Sequence, residues 1–321
     1  MRFDESSRLD TSQIDDLRRG GGGGRGGGGR GGGLGGRVAV GGGGISIVAL
    51  ILFFIVSQLG GGTGALPPGL DGSGLGGVEE GQAADTSELA ANCRTGADAA
   101  RSLDCEAVAV INSLDAYWSD TFARAGVTYR PPRTNFFRGS VRTNGCGGAT
   151  SDVGPFYCPA DQEVYIDLTF YSELESRFGA EGGPFARSYV LAHEYGHHVQ
   201  NLLGTSSRVR GNETGPTSGS VRLELQADCY AGVWGRNATQ TPGPSGRPLI
   251  TEITQADVDA ALDTAARIGD DYIQSHLGGG RVDESQFSHG SSAQREKWFT
   301  TGFTTGEPAR CDTFARGVDL G

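Results

Sequence analysis

Apolar positions in this chain follow two periods, and the periods sort it into elements. Between residues 97 and 124 they recur at Val108, Ile111, Leu114, Trp118 and Phe122, the spacing of one helical face. Residues 163–169 instead alternate Val164, Ile166 and Leu168 with Tyr165, Asp167 and Thr169, which predicts a strand. Helical spacing then returns. A helix is predicted over 184–203, with Pro184 in its first turn and Gly204 as its stop. Others are predicted over 221–233, over 256–277 with Thr254 as cap, and over 293–299. One helix, short strands and then mostly helices make the class α+β, mostly helical with a small sheet. There is no internal repeat.

Before residue 90 the pattern is different. Residues 1–37 mix charges with a Gly run broken by Arg25, Arg30 and Arg37. Such a stretch buries too little apolar surface to offset its chain entropy, so it is expected to be a disordered tail. No charge occurs from residue 38 to residue 70, and residues 45–56 (ISIVALILFFIV) are apolar except for Ser46. With its flanks, the stretch 38–59 reaches the length of a single transmembrane helix, although four Gly at 41–44 weaken it. A cleaved signal peptide would need a shorter charged lead and an A-x-A site after the apolar run. A buried core helix would have only Gly-rich neighbours to pack on. An uncleaved membrane anchor is therefore expected. Five arginines from Arg18 to Arg37 precede it and no Lys or Arg follows until Arg94. That asymmetry places the N-terminus in the cytoplasm and the main domain outside the cytoplasmic membrane. Residues 60–89 read as a Gly/Pro-rich linker, and 90–315 as the folded domain.

Composition sharpens this division. The net charge is −11, yet the first 59 residues hold seven Arg against five acidic residues, so the acidity belongs to the remainder. An acidic domain repels phosphate backbones, which argues against nucleic acid as a partner. All six cysteines lie after residue 90. An even count in an extracytoplasmic domain suggests three disulfides. Many pairings are possible; the shortest closures are Cys93–Cys105 and Cys146–Cys158, which would leave Cys229 with Cys311. No C-x-x-C pair exists, so zinc held by cysteine is not expected.

The chemistry concentrates at VLAHEYGHHVQ. His193 and His197 are four apart on one helical face and can share a metal, with Glu194 between them as a base. Zinc suits two imidazoles; it acidifies water and polarises a carbonyl. Glu194 would take the water's proton and pass it to a leaving amine. His198 points elsewhere on the helix and is not expected to be a ligand. Catalytic zinc needs a third protein ligand. The extended motif with a third His fails, because Gln200 and Leu203 stand at its Gly and His positions. In RLELQADCYAGVW, Glu224 and Asp228 share a helical face amid apolar neighbours. Glu224 is the candidate ligand, and Asp228 the acceptor for the far nitrogen of His193. The competing reading is a solvated acidic pair. His289 either stabilises an oxyanion or belongs to the loop that caps the following helix at Ser291 or Ser292. Tyr230 and Arg295 are weaker candidates for the oxyanion role, and His276 reads as a surface residue. The strand at 163–169 could hold an extended peptide at a sheet edge.

At GPFYCPADQEVYIDLTFY, LAHEYGHHVQNLLG, ELQADCYAGVW and FSHGSSAQREKWF the chain resembles the putative neutral zinc metallopeptidase family (YpfJ-like bacterial proteins). The likeness covers roughly residues 90–315. It implies a zincin-like fold with a gluzincin-type site: His193, His197 and Glu224 as zinc ligands and Glu194 as base. A membrane-anchored zinc peptidase acting on proteins or peptides is thus the leading reading. The alternatives are a zinc-stabilised scaffold module without turnover and a membrane-anchored regulator using its Arg-rich tail. A purely structural zinc site does not need a base beside the metal, which favours the enzyme.

Overall fold

The computed structural model describes residues 1–19, 84–209, 211, 213–243 and 245–321. The expected transmembrane helix at 38–59 lies outside the described residues, as do the Gly-rich part of the tail and most of the linker. Among the described residues no helix is long and apolar enough to cross a membrane.

Helices surround a small sheet, as the alternating periods predict. The sheet has four strands in the order β2 (Ile14–Asp16), β3 (Thr134–Phe136), β7 (Glu163–Ile166) and β6 (Phe156–Cys158). β3 runs parallel to both β2 and β7, whereas β6 and β7 are antiparallel. A hairpin of β4 (Ser140–Arg142) and β5 (Gly148–Thr150) stands beside it, and β1 (Arg2–Phe3) pairs with β8 (Ile250–Glu252). β7 is an inner strand of the sheet, contrary to the edge position expected for it. Its alternation reflects two packed faces, with Val164 and Ile166 in the main core and Tyr165 in a second cluster around Phe137 and the Cys146–Cys158 bridge. The outer strands are β2 and β6.

The first 19 residues form no disordered tail. Phe3 and Ile14, 9% and 1% exposed, enter the main core. Each such side chain contributes on the order of 1.5–3 kcal/mol when fully buried. The composition argument fails here because it averaged this arm with the Gly run that follows. Charges in the arm are partnered: Arg18 forks onto Asp16 and Asp104, and Arg133 clamps Asp15. The backbone N–H of Asp85 donates to Asp16 O at 3.0 Å, so the arm also touches the segment described after residue 83. The folded region also begins earlier than residue 90, with a helix at Ser87–Asn92 that buries Leu89.

Most helix ends follow local chemistry. Thr254 and Asp257 make the capping box of the Gln255–Arg267 helix, and Ser291 and Gln294 that of the Ser292–Thr305 helix. The helix predicted over 256–277 stops early. The chain turns at Gly269, and a short helix (Asp270–Tyr272) and a π turn (Ile273–Leu277) follow. The expected helix over 97–124 begins at Leu103, after a separate turn at Gly96–Ala99, with the Cys93–Cys105 disulfide spanning the break. The other two disulfides are Cys146–Cys158 and Cys229–Cys311, the pairing of shortest closures.

One core group carries a pH dependence. Asp115, on the Leu103–Arg124 helix, accepts from Tyr129 Oη at 3.2 Å, while its Oδ2 is buried without a hydrogen-bond partner. Burial pushes its pKa from 3.8 up to about 7. The folded protein therefore binds a proton there that the unfolded chain has released, and stability falls as pH rises through that window. Asp115→Asn should flatten the decline in thermal midpoint between pH 4 and 7 relative to the unmutated protein. Parallel slopes for the two proteins would refute the assignment.

Candidate metal centre

Two helices and one close contact build the site. His193, Glu194 and His197 lie on the Pro184–Leu202 helix, Glu224 and Asp228 on the Gly219–Asn237 helix. They cross where Gly196 meets Ala227. A Cβ on Gly196 would stand 2.9 Å from Ala227 Cα and 3.0 Å from its carbonyl oxygen, so a glycine there permits the approach. The two imidazoles and the carboxylate then converge. His193 Nε2 lies 3.1 Å from His197 Nε2 and 3.2 Å from Glu224 Oε2, and His197 Nε2 lies 3.5 Å from Glu224 Oε1. Ligand atoms around a tetrahedral ion with bonds of 2.0–2.1 Å stand about 3.3–3.4 Å apart. The three groups are thus spaced for zinc, and their N, N, O donor set suits it.

The outer nitrogens of both histidines are engaged. His193 Nδ1–H donates to Asp228 at 2.7 Å, as the spacing predicts. Asp228, fully buried, also accepts from Tyr189 Oη at 2.6 Å and from two nitrogens of Arg295, each at 2.9 Å. Burial opposes its charge, but Arg295 and His193 outweigh that and hold its pKa at about 2. His197 Nδ1–H donates to Gln200 Oε1 at 2.9 Å, and Gln200 is itself fixed through its amide to Leu223 O and Gln226 Oε1. Both Nε2 atoms are left facing the centre. Arg295 therefore serves Asp228 while also lining the cleft. Tyr230 lies outside the cleft, packed edge-on against Trp118. His198 is a structural residue, bonded to Tyr157 and to Arg130 O, with its pKa pushed down to about 4 by burial. His276 is exposed.

Glu194 and His289 complete the cleft. Glu194 is buried, and that burial raises its pKa despite the neighbouring histidines. His289 faces the same space from the loop before the Ser292–Thr305 helix. Its Nδ1 lies 3.2 Å from Asp270 Oδ1, and its Nε2 is buried without a partner. Asp270 accepts the backbone N–H groups of Ser288, His289 and Gly290 at 2.7, 2.7 and 3.0 Å. Burial disfavours a charged His289, but Asp270 prevails and raises its pKa. Asp270 was not apparent from the sequence, since the helix break that aims it lies inside a continuous apolar pattern. Gln200 stood in view three residues after His197, but only the fold shows it as a partner.

The cleft has a volume of about 470 Å³. Its lining includes the apolar side chains of Phe170, Phe178, Val190 and Ile273 and the polar ones of Asn201 and Ser207. The outer strand β6 contributes Phe156 and Tyr157 to its wall.

A family model described as "Putative neutral zinc metallopeptidase" matches residues 1–314, the N-terminal arm included. An uncharacterized protein of Mycobacterium tuberculosis (strain ATCC 25618 / H37Rv) is 47% identical over 253 residues, 77% of this chain and 84% of its own length. The uncharacterized protein YpfJ of Escherichia coli (strain K12) is 44% identical over 214 residues, 65% of this chain and 70% of its own. No solved structure matches the chain significantly. Replacing Gln200 with Leu should lower zinc affinity roughly ten- to a hundredfold by freeing the His197 ring. Competition with a chelator would measure it, and an unchanged affinity would show that Gln200 does not orient the ligand.

Proposed function

The chain belongs to the putative neutral zinc metallopeptidase family, and on that premise we propose a zinc-dependent endopeptidase with a zincin-like fold. His193, His197 and Glu224 would hold the ion. Bound zinc supplies Lewis acidity, which polarises a carbonyl and acidifies water. The remaining steps belong to the chain's own groups. Glu194 takes the proton from the attacking water and delivers it to the leaving amine. Its raised pKa makes it a stronger base than an exposed carboxylate. His289, held at Nδ1 by Asp270, presents Nε2–H to the oxygen on which negative charge develops. Asp228, Arg295, Tyr189 and Gln200 keep the ligands oriented.

The observation that carries this reading is Glu194 beside a three-ligand set in an open cleft. A structural zinc site is closed by a fourth protein ligand and has no use for a base. The cleft suits a peptide: β6, an outer strand of the sheet, contributes to its wall, and its lining includes aliphatic and aromatic side chains. We place the enzyme at the extracytoplasmic face of the cytoplasmic membrane. Three disulfides support an oxidising compartment, and the apolar run at 45–56 supports contact with lipid.

Glu194→Gln should retain zinc and lose peptide cleavage. Metal analysis and cleavage of a peptide library would check both, and cleavage that persists in this variant would overturn the mechanism. His289→Ala should lower kcat about 100- to 1,000-fold with zinc content unchanged. In the same library, residues beside the cut should be enriched in large apolar side chains. A flat distribution would show that the apolar lining of the cleft does not select substrate.

A further inference from the structure

The arm at residues 1–19 has a consequence for membrane topology. β2 is one of the two outer strands of the four-stranded sheet, in parallel register with β3: Ile14 opposite Thr134, Asp15 opposite Asn135, Asp16 opposite Phe136. β1 pairs with β8, Arg2 opposite Glu252 and Phe3 opposite Ile250. Asn112, on the long Leu103–Arg124 helix, exchanges two hydrogen bonds with the backbone of Asp10, both at 2.8 Å. Arg18 bridges Asp16 to Asp104 at the start of the same helix. Strand pairing, apolar burial and buried ion pairing thus all hold the arm to the body that carries the metal ligands.

Asp16 O accepts from Asp85 N–H, so the described segments on either side of residues 20–83 lie within one hydrogen bond of each other. A single crossing of a bilayer at 38–59 would put the arm and the body on opposite sides. It would leave β2 and β1 unpaired and Phe3 and Ile14 in water, with the places they fill in the body empty. The arginines before residue 38 favour the opposite-sided arrangement, but that rule orients free loops, whereas this arm is part of the folded core.

We infer that residues 1–19 and the metal-binding body occupy the same side of the membrane, so that any contact residues 38–59 make with lipid begins and ends on that side. The inference rests on the packing of the arm and is independent of peptidase activity. All six native cysteines are paired, so an introduced cysteine is the single free thiol. Arg2→Cys and Glu252→Cys, at exposed positions of the β1–β8 pair, report on the arm and the body. In intact cells making the full-length protein, a membrane-impermeant maleimide should treat the two single variants alike. The double variant should form an intramolecular disulfide before any detergent is added, since opposed cross-strand residues lie within bridging distance. Labelling of one position without the other, or a disulfide that appears only after solubilisation, would overturn the inference.

Discussion

The approach of the Pro184–Leu202 and Gly219–Asn237 helices at Gly196 and Ala227 is the constraint on which the rest of this structure depends. The H-E-x-x-H pattern by itself supplies two imidazoles on a helix. The third donor comes from another helix, and its carboxylate reaches them only because no side chain separates the two backbones at the crossing. A second tight crossing sits behind the first. Cβ atoms on Gly232 or Gly302 would fall on the carbonyls of Phe299 and Cys229, so the Ser292–Thr305 helix also lies against the Gly219–Asn237 helix. This seats Arg295 on Asp228 and brings His289 to the cleft. Three helices converge through two glycine contacts, and each contributes a different part of the chemistry.

The charges are arranged in the same order. Asp228 is fully buried and accepts from His193, Tyr189 and Arg295, so its charge is spent within the protein and is balanced by one guanidinium. Among the described residues, no Lys or Arg forms an ion pair with Glu224 or Glu194. Their negative charge faces the cleft, where a divalent ion would neutralise it. Burying a carboxylate beside a cation is costly unless the geometry and the remaining hydrogen bonds are satisfied. Asp228 meets that condition within the chain, and Glu224 would meet it with a metal.

Much of the site was legible in the sequence because its signals are local. His193, Glu194 and His197 fall within one helical turn and a half, Glu224 and Asp228 within one turn, and the caps at Thr254 and Ser291 within three residues of their partners. What was not legible depends on distant segments. Gln200 and Asp270 gain their roles from which side chain the fold sets beside them. The early stop of the Gln255–Arg267 helix was hidden by apolar residues that continue past Gly269 and pack as a π turn. The arm at residues 1–19 was misjudged because a few apolar residues, Phe3 and Ile14 among them, are enough to dock a segment when a sheet edge is waiting for it.

The Cys229–Cys311 bridge adds a dimension of time. Cys229 follows Asp228 directly, and Cys311 O accepts from Gln226, which in turn accepts from Gln200 behind His197. The segment at Cys311 therefore closes a sequence of contacts that ends on His197. A nascent chain that has made both histidines and Glu224 still lacks Asp270, His289, Arg295 and this clasp. Synthesis must reach residue 311, and oxidation must follow, before the centre is finished. Maturation of the site is thereby coupled to completion and oxidation of the polypeptide, so a half-made chain carries the motif without its supporting network.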